Sequence, residues 1–164
     1  MSQYLIRHNE PLEEEELVFL QKKEQRELKQ YYRFFRILMF LSFIIPFAGT
    51  WYSASDGNPD PFTPGKFFAV TAILLSISGF ITWVGYRRGP GKLHYDITHR
   101  TKTIEETHIT RKVYMPQNNT YHFYLNSPNM LSIEVNNTDY HRMKEGDEVN
   151  IEYTTKAKIY LGYF

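Results

Sequence analysis

Two long uncharged stretches do most to restrict what this chain of 164 residues can fold into. The first, 37–53, has 17 residues, and the second, 67–86, has 20. Crossing the hydrocarbon core of a bilayer takes about 20 apolar residues, with a range of about 17–25. The first stretch reaches that length if it begins at Phe34, with Arg36 extending toward the lipid headgroups. The sequence therefore predicts two transmembrane helices, at about 34–53 and 67–86.

Other interpretations of these stretches fit the sequence poorly. A cleaved signal peptide would lie near the N terminus, whereas the first stretch follows a long charged segment. Buried helices of a soluble protein would need the other residues to cover two apolar cylinders on every side. The mean hydropathy of −0.46 suggests a soluble protein only because it averages over the charged flanks. The predicted architecture is a membrane α-helical hairpin at 34–88, with an outer loop at 54–66.

Basic and aromatic residues mark the ends of both predicted spans. Lys and Arg cluster before the first span and after the second, whereas the outer loop has only Lys66. By the positive-inside rule both termini lie in the cytoplasm and the loop lies outside. Aromatic rings near the ends of both spans are typical of the membrane interface. The expected interface anchors are Arg33, Arg36, Trp51, Trp83, Arg87 and Arg88.

Small side chains form a stripe along each predicted span. Ser42, Pro46 and Gly49 share one face of the first span, where Pro46 is expected to kink the helix. Small residues let helix backbones approach closely in lipid. The stripes therefore predict that the two arms pack on each other or, alternatively, that they pack against the helices of a partner. In the second span the stripe consists of Ala69, Ala72, Ser76 and Gly79.

The N-terminal segment 1–33 predicts a charged, amphipathic cytosolic helix. Asn9 or Glu10 can cap it, and the four glutamates at 13–16 complement the positive end of its dipole. Two further glutamates interrupt its apolar face. We therefore expect a solvated helix that continues into the first span, with an interfacial or partner-binding helix as the alternative.

The C-terminal region, 91–164, changes from helical to strand periodicity. Gly89, Pro90 and Gly91 break the helix, and apolar residues then alternate with polar ones in six segments. This pattern predicts a small all-β domain of five to six antiparallel strands, an OB-like or SH3-like barrel whose closure removes exposed edges. A short helical turn is expected within 136–146. The predicted strands lie at 93–97, 102–115, 121–125, 131–135, 149–153 and 159–163.

The stretch "GDEVNIEY" at 146–153 has a turn-then-strand pattern that is common in small barrels. In this pattern and in its layout the chain resembles small bacterial inner-membrane proteins whose helical hairpin carries a cytosolic OB-like barrel, the NfeD-like group. The resemblance covers about the last half of the chain. It implies a bacterial inner (plasma) membrane location and a barrel that acts as an interaction module. No catalytic residues carry over from that group.

Signatures of catalysis and cofactor binding are missing from the sequence. The chain has no cysteine, which excludes disulfides and thiolate chemistry. It also has no phosphate-binding loop, dinucleotide-binding fingerprint, nucleophile elbow or zinc-protease motif. Five of the six histidines lie in the C-terminal region, without the spacing of a metal site. We therefore expect no enzymatic activity, no cofactor and no bound metal.

The charge balance bears on the class of partner. The net charge of the chain is +1, and residues 91–164 contain nine basic and nine acidic residues. A nucleic-acid partner, which requires an excess of basic residues, is therefore not expected. Tyr124 and Tyr160 alternate with core positions of their strands and are predicted to face outward. They are the candidate protein-interaction surface, since aromatic residues are enriched at interfaces.

These observations lead to a functional hypothesis. The chain is expected to be a non-enzymatic accessory, assembly or scaffold subunit, anchored in a lipid bilayer and contacting another membrane protein or its own copies. The alternative is a subunit of an oligomeric pore or transport complex. The uncharged stretches 37–53 and 67–86 contain no ionisable residue within the predicted membrane core, which argues against transport by a single chain. A third, weaker hypothesis is an enzyme or sensor that uses the histidines of the β-domain.

Overall fold

The computed structural model describes residues 6–57 and 63–164, so part of the predicted outer loop lies outside the described residues. The chain divides into two compact units, one of Phe19–His94 and one of Tyr95–Phe164 together with the segment that ends at Val18. Its helices are α1 (Glu14–Ser55), α2 (Pro64–Arg88), α3 (Pro90–His99) and α4 (Asn137–Arg142). Its strands are β1 (Arg7–Pro11), β2 (Thr101–Met115), β3 (Thr120–Leu125), β4 (Ser132–Val135), β5 (Glu148–Thr154) and β6 (Tyr160–Tyr163).

Helix α1 is a single helix of 42 residues that joins the charged N-terminal segment to the first apolar stretch. At its start the Glu16 carboxylate accepts a hydrogen bond from the backbone N–H of Glu13 at 2.8 Å, half of a capping box. The helix then continues through Pro46 into the first apolar stretch. The predicted cap at Asn9 or Glu10 is wrong, because the helix begins only at Glu14.

Helix α2 begins with Pro64, whose missing N–H and fixed φ suit a first helical position. Its last turn contains Arg87 and Arg88, whose charges complement the negative end of the dipole. Two helical segments in the described residues, Glu14–Ser55 and Pro64–His99, are long and apolar enough to cross a membrane. Only 11% and 17% of their most apolar windows are buried within the chain, so most of their apolar surface is exposed.

Helix α3 replaces the strand that the sequence predicts at 93–97. Pro90 occupies the first position of this helix, where proline favours helix initiation. Leu93 and Asp96, three residues apart, are both fully buried. That spacing is helical, and an alternation over only five residues could not distinguish it from a strand. The Asp96 carboxylate accepts backbone hydrogen bonds from Lys156 and Ala157 at 2.7–3.0 Å, which holds the turn before β6.

The C-terminal region forms a curled antiparallel sheet, a half-barrel, in the order β4-β3-β2-β5-β6. The 15-residue strand β2 pairs with β5 over Lys102–His108 and with β3 over Ile109–Met115. A register shift between Ile109 and Arg111 marks the position where the strand passes from one partner to the other. Five of the six predicted strands are present, and the predicted helical turn is α4, capped by the Asn136 side chain.

The sixth strand comes from the N-terminal segment, which the sequence analysis assigned to a helix. β1 pairs antiparallel with the start of β2, from Arg7↔Glu105 to Pro11↔Thr101. The backbone N–H of Leu12 then donates to the carbonyl of Arg100 at 2.9 Å. The β-domain, defined here as the unit that contains β1–β6 and α4, is therefore assembled from both ends of the chain.

The core of the β-domain is apolar and lies on the concave side of the sheet. Phe123, Ile151 and Tyr153 are fully buried, and Tyr140 of α4 and Met143 at its C-terminal cap pack against the same cluster. Leu131, the first residue of the strand predicted at 131–135, is 74% exposed, because β4 begins one residue later and Met130 packs on the core. The buried members are Ile109, Phe123, Leu125, Ile133, Val135, Val149, Ile151 and Tyr153.

Candidate functional site

The contact between α1 and α2 includes hydroxyl side chains from both helices. Ser42 and Ser78 are buried, and their Oγ atoms lie 3.0 Å apart in a hydrogen bond between the helices. The Tyr31 hydroxyl donates to the backbone carbonyl of Thr82 at 3.1 Å. Pro46 is buried on the same face of α1 as Ser42. We use the term helix pair for α2 together with the part of α1 that begins at Phe19.

The packed face of α2 differs from the predicted small-residue stripe. The buried residues of α2 are Thr71, Ser78 and Thr82, whereas the stripe is exposed. Gly49 of α1 is exposed as well, and a Cβ atom added at Gly49 or Gly79 would meet nothing within 4 Å. The stripe, predicted to pack either on α1 or against the helices of a partner, therefore lies on an outer surface of the helix pair. Its members are Ala69, Ala72, Ser76 and Gly79.

The predicted interface anchors lie on the surface at both ends of the helix pair. Trp51 is 71% exposed and Trp83 is 51% exposed. The guanidinium of Arg87 lies over the Trp83 ring, 4.6 Å from its centroid, in a cation–π contact. Arg33, Arg36 and Arg88 are likewise exposed.

An open groove runs between the two helices near the end formed by Tyr31 and Tyr86. It has a volume of about 350 Å³. Five aromatic rings and the bare backbone at Gly79 provide most of its surface. We call it the aromatic groove; its lining residues are Tyr31, Tyr32, Phe35, Gly79, Thr82, Trp83 and Tyr86.

In the β-domain the two tyrosines of the predicted interaction surface have different environments. Tyr124 lies on the convex side of β3 and is partly exposed. Tyr160 instead packs against the core, so its prediction as an outward residue is wrong. The register of β6 against β5 shifts between Glu152 and Tyr153, which inserts one extra residue in β6. Tyr160 and Tyr163, three residues apart, consequently both contact the core.

A ladder of aromatic rings extends from the core of the β-domain to its surface. Tyr121 stacks on Tyr114 at 5.0 Å and contacts Tyr140 at 4.8 Å, measured between ring centroids. Tyr114, at the outer end, is 43% exposed. The Lys112 ammonium lies over the Tyr140 ring and donates to backbone carbonyls at the end of α4, including that of Met143 at 2.6 Å. The sequence predicts the strand that contains Tyr114, but it does not predict that Tyr114 stacks on Tyr121.

The concave side of the β-domain also contains a fully buried carboxylate, Glu105, which the sequence analysis missed. Its Oε2 atom accepts hydrogen bonds from Arg7 Nε at 2.8 Å, Asn129 Nδ2 at 3.1 Å and the Tyr153 hydroxyl at 2.5 Å. Its second oxygen and the hydroxyl of Thr107 are buried without a regular hydrogen bond in the described residues. The available signal was that Glu105 lies in phase with Ile109 along β2.

The surroundings of Glu105 keep it ionised. Burial alone would raise the pKa of Glu105, but hydrogen bonds from Ser127, Tyr153 and Asn129, with the charge of Arg7, outweigh it and hold the pKa below 4.5. Burial and the neighbouring carboxylate raise the pKa of Tyr153 to about 12. A carboxylate that stays ionised and a phenol that stays neutral do not exchange protons near neutral pH. Through the contact of Arg7 with Glu105, the cluster joins β1 to the core.

Lys102 forms a second buried ionic cluster, on the convex side of β2. Its ammonium is 3.0 Å from a Glu16 carboxylate oxygen and 3.1 Å from one of Glu152. Burial disfavours the charged form, but these two carboxylates outweigh that effect and raise the pKa of Lys102 above 10.5. The contact ties the first turn of α1 to β2 and β5.

The histidines are dispersed over the described residues. His94 pairs with Glu24 at 2.8 Å, and the His99 ring stacks on Tyr95. His122 contacts the Thr120 hydroxyl at 3.0 Å. Within residues 6–57 and 63–164 no group of three or more His, Asp or Glu side chains is arranged to hold a metal ion.

Comparison with known proteins gives no relative for this chain. No protein-family model matches it, and neither a curated protein nor a solved structure shows significant similarity. The architecture and the individual sites are therefore the basis for any functional conclusion.

Proposed function

We propose that this protein is a non-enzymatic membrane subunit whose helix pair spans a bilayer and whose β-domain binds another protein. The observation behind the membrane assignment is the outer surface of the helix pair. Phe40, Phe47 and Phe80 are 62–64% exposed, and they belong to a continuous apolar surface. Soluble monomers rarely expose apolar patches beyond a few hundred Å². A lipid bilayer is the environment in which such a surface is stable.

The proposed orientation places both termini in the cytoplasm of a bacterial cell and the outer loop on the other side of the inner membrane. It rests on the positive charge at one end of the helix pair, which includes Arg33, Arg36, Arg87 and Arg88. At the opposite end, the loop at 54–66 contains one basic residue, Lys66.

Cysteine labelling tests this orientation cleanly because the protein has no native cysteine. Ser55→Cys and Asn118→Cys place one thiol at the loop end of α1 and one in the β2–β3 turn, both exposed. In intact cells an impermeant maleimide should label only the Ser55→Cys variant, and in inside-out vesicles only the Asn118→Cys variant. Labelling of both thiols from the same side would overturn the hairpin topology. Extraction of the protein by alkaline carbonate would overturn membrane insertion itself.

The interaction role of the β-domain is supported by aromatic side chains exposed on its surface. Tyr114 at the end of the aromatic ladder and Tyr124 on β3 both reach solvent. Rigid tyrosines give large contact areas at low entropic cost. The two residues lie on opposite sides of the sheet, so each marks a separate candidate surface for the partner.

Gentle extraction, affinity capture and mass spectrometry of the intact complex test the interaction role. A stoichiometric partner is expected with the wild-type chain and should be lost with Tyr114→Ala or Tyr124→Ala. Asn118→Ala, an exposed substitution in the neighbouring turn, is the matched control and should retain the partner. An assembly containing only copies of this chain would favour the alternative, a pore or transport subunit, and ion-flux measurements in liposomes would then be decisive.

A further inference from the structure

The aromatic groove is a concave feature on the apolar surface of the helix pair. Its volume of about 350 Å³ lies within the usual size range of small-ligand sites, about 300–1,000 Å³. It is formed by aromatic residues that flank the first apolar stretch and end the second. In a bilayer this level corresponds to the boundary between headgroups and acyl chains.

A strip without large side chains leads away from the groove along α2. Gly79 lies in the groove, and Ser76 and Ala72 follow it on the same face at helical spacing of three and four residues. All three are exposed, and a Cβ atom at Gly79 would project into open space. An extended hydrocarbon chain placed in the groove can therefore continue along the strip toward the middle of the apolar region.

The charge around the groove favours an anion at its outer end. Arg87 is held there by its contact with the Trp83 ring, and Arg36 follows Tyr32 by one helical turn. No acidic residue occurs in α2 or in 28–55 of α1. The arginines beside the groove therefore have no acidic neighbour on their own helices within this region.

We propose that the aromatic groove binds an anionic phospholipid, with its phosphate at Arg87 and Arg36 and one acyl chain along Gly79, Ser76 and Ala72. A partner helix fits this site less well. An α-helix is about 10–12 Å across, and the rings of Trp83 and Tyr86 stand at the end of the strip where a second backbone would need to approach closely. This inference rests on the proposed insertion of the helix pair in a membrane.

Tryptophan fluorescence tests the proposal in the full chain, which contains two tryptophans. Trp51→Phe leaves Trp83 in the groove as the only reporter, and Trp83→Phe leaves Trp51 at the opposite end of the helix pair. Each variant is reconstituted in phosphatidylcholine vesicles that contain a small fraction of brominated phosphatidylglycerol or brominated phosphatidylcholine. Because a basic residue near an anionic lipid contributes about 1 kcal/mol, we expect about a fivefold preference for the anionic quencher at Trp83. Trp51 should show no such preference.

Two substitutions in the Trp51→Phe background define the site. Gly79→Leu fills the groove, and Arg87→Gln removes the charge, so each should reduce the preference of Trp83 to that of Trp51. Gly49→Leu is the matched control, because Gly49 is equally open but lies outside the groove. Circular dichroism of each variant checks that the helices form.

The outcomes separate this proposal from the one on which it rests. Equal quenching of Trp83 by both lipids, unchanged by Gly79→Leu, would refute the lipid site while leaving the membrane hairpin intact. An absence of quenching at both tryptophans would overturn membrane insertion. Loss of self-association in Gly79→Leu, without any lipid preference, would assign the groove to a partner helix instead and refute the lipid proposal.

Discussion

The helix pair and the β-domain distribute polarity in opposite directions. In the helix pair the hydroxyls of Ser42 and Ser78 are buried and large rings such as Phe80 are exposed. In the β-domain Phe123 and Ile151 are fully buried, as in an ordinary globular core. The proposed insertion of the helix pair in a bilayer accounts for this opposite distribution of polar and apolar side chains.

The difference concerns which forces hold each region together. Burial of apolar surface from water stabilises the β-domain by about 25 cal/mol per Å². Between helices in lipid this driving force is absent, and close packing with occasional hydrogen bonds takes its place. With the helix pair inserted as proposed, the hydrogen bonds between Ser42 and Ser78 and from Tyr31 to the Thr82 carbonyl are of this second kind.

The largest expected effect comes from truncating one phenylalanine in each region. Phe123→Ala should destabilise the β-domain by about 3–5 kcal/mol, because it opens a cavity in a fully buried core. Phe80→Ala, its matched control on the exposed surface of α2, should change the stability of either region by less than about 0.5 kcal/mol. Hydrogen exchange of the full chain in detergent, followed by region, measures both. Similar losses for the two variants would contradict the proposed inversion of polarity.

The next effect concerns the buried ionic contact that joins β1 to the core. Arg7→Ala removes one of the partners that stabilise the buried charge of Glu105. We expect the free energy of unfolding to fall by about 1–3 kcal/mol, toward the lower end because Arg7 is 40% exposed. Because the pKa of Glu105 is lowered in the native state, ionisation of Glu105 stabilises the native state. Its contribution is therefore present above about pH 4.5 and disappears as the pH falls through the lower native pKa.

Acid unfolding of the β-domain measures this contribution. Glu105→Gln should flatten the dependence of stability on pH below about 4.5, and Glu106→Gln, the adjacent residue outside the cluster, should leave it unchanged. An acid-unfolding curve that is the same in wild type and Glu105→Gln would show that Glu105 is not ionised in the folded state.

At alkaline pH the buried phenol of Tyr153 should make the stability of the β-domain fall as the pH rises. Its pKa is raised to about 12 in the folded state from 10.0, so the unfolded chain loses this proton first. Stability from this group is intact below pH 10.0 and is lost as the pH rises toward 12, by about 1 kcal/mol near pH 11. Thermal unfolding of Tyr153→Phe should show a weaker alkaline dependence than wild type. The exposed Tyr114→Phe variant should retain the wild-type dependence.

The sequence predicts elements well where one periodicity persists. The two apolar stretches and five of the six predicted strands are present because each has a sustained pattern of burial. The segment at 93–97 is too short for period two to exclude a helix, and the Pro90 helix start prevails. β1 was not predictable locally, since all five of its residues are exposed and its identity as a strand depends on pairing with β2.

The candidate sites were less accessible from the sequence for a similar reason. Glu105 is buried only because Arg7 and Asn129, distant in the chain, converge on it. Tyr160 faces the core because one residue is inserted opposite β5, and a regular alternation cannot reveal such a bulge. The aromatic groove depends on the rotation of α1 against α2, which small-residue spacing alone did not fix.

The smallest expected effect tests the polar contact inside the helix pair. A hydrogen bond between membrane helices contributes about 0.6 kcal/mol on average. A double-mutant cycle of Ser42→Ala and Ser78→Ala should give a coupling free energy of that order, measured by steric trapping or denaturation in mixed micelles. Ser76→Ala is the control, since Ser76 donates to the Ala72 carbonyl of its own helix and should not couple to Ser42. A zero coupling between Ser42 and Ser78 would mean that shape complementarity alone aligns the two helices.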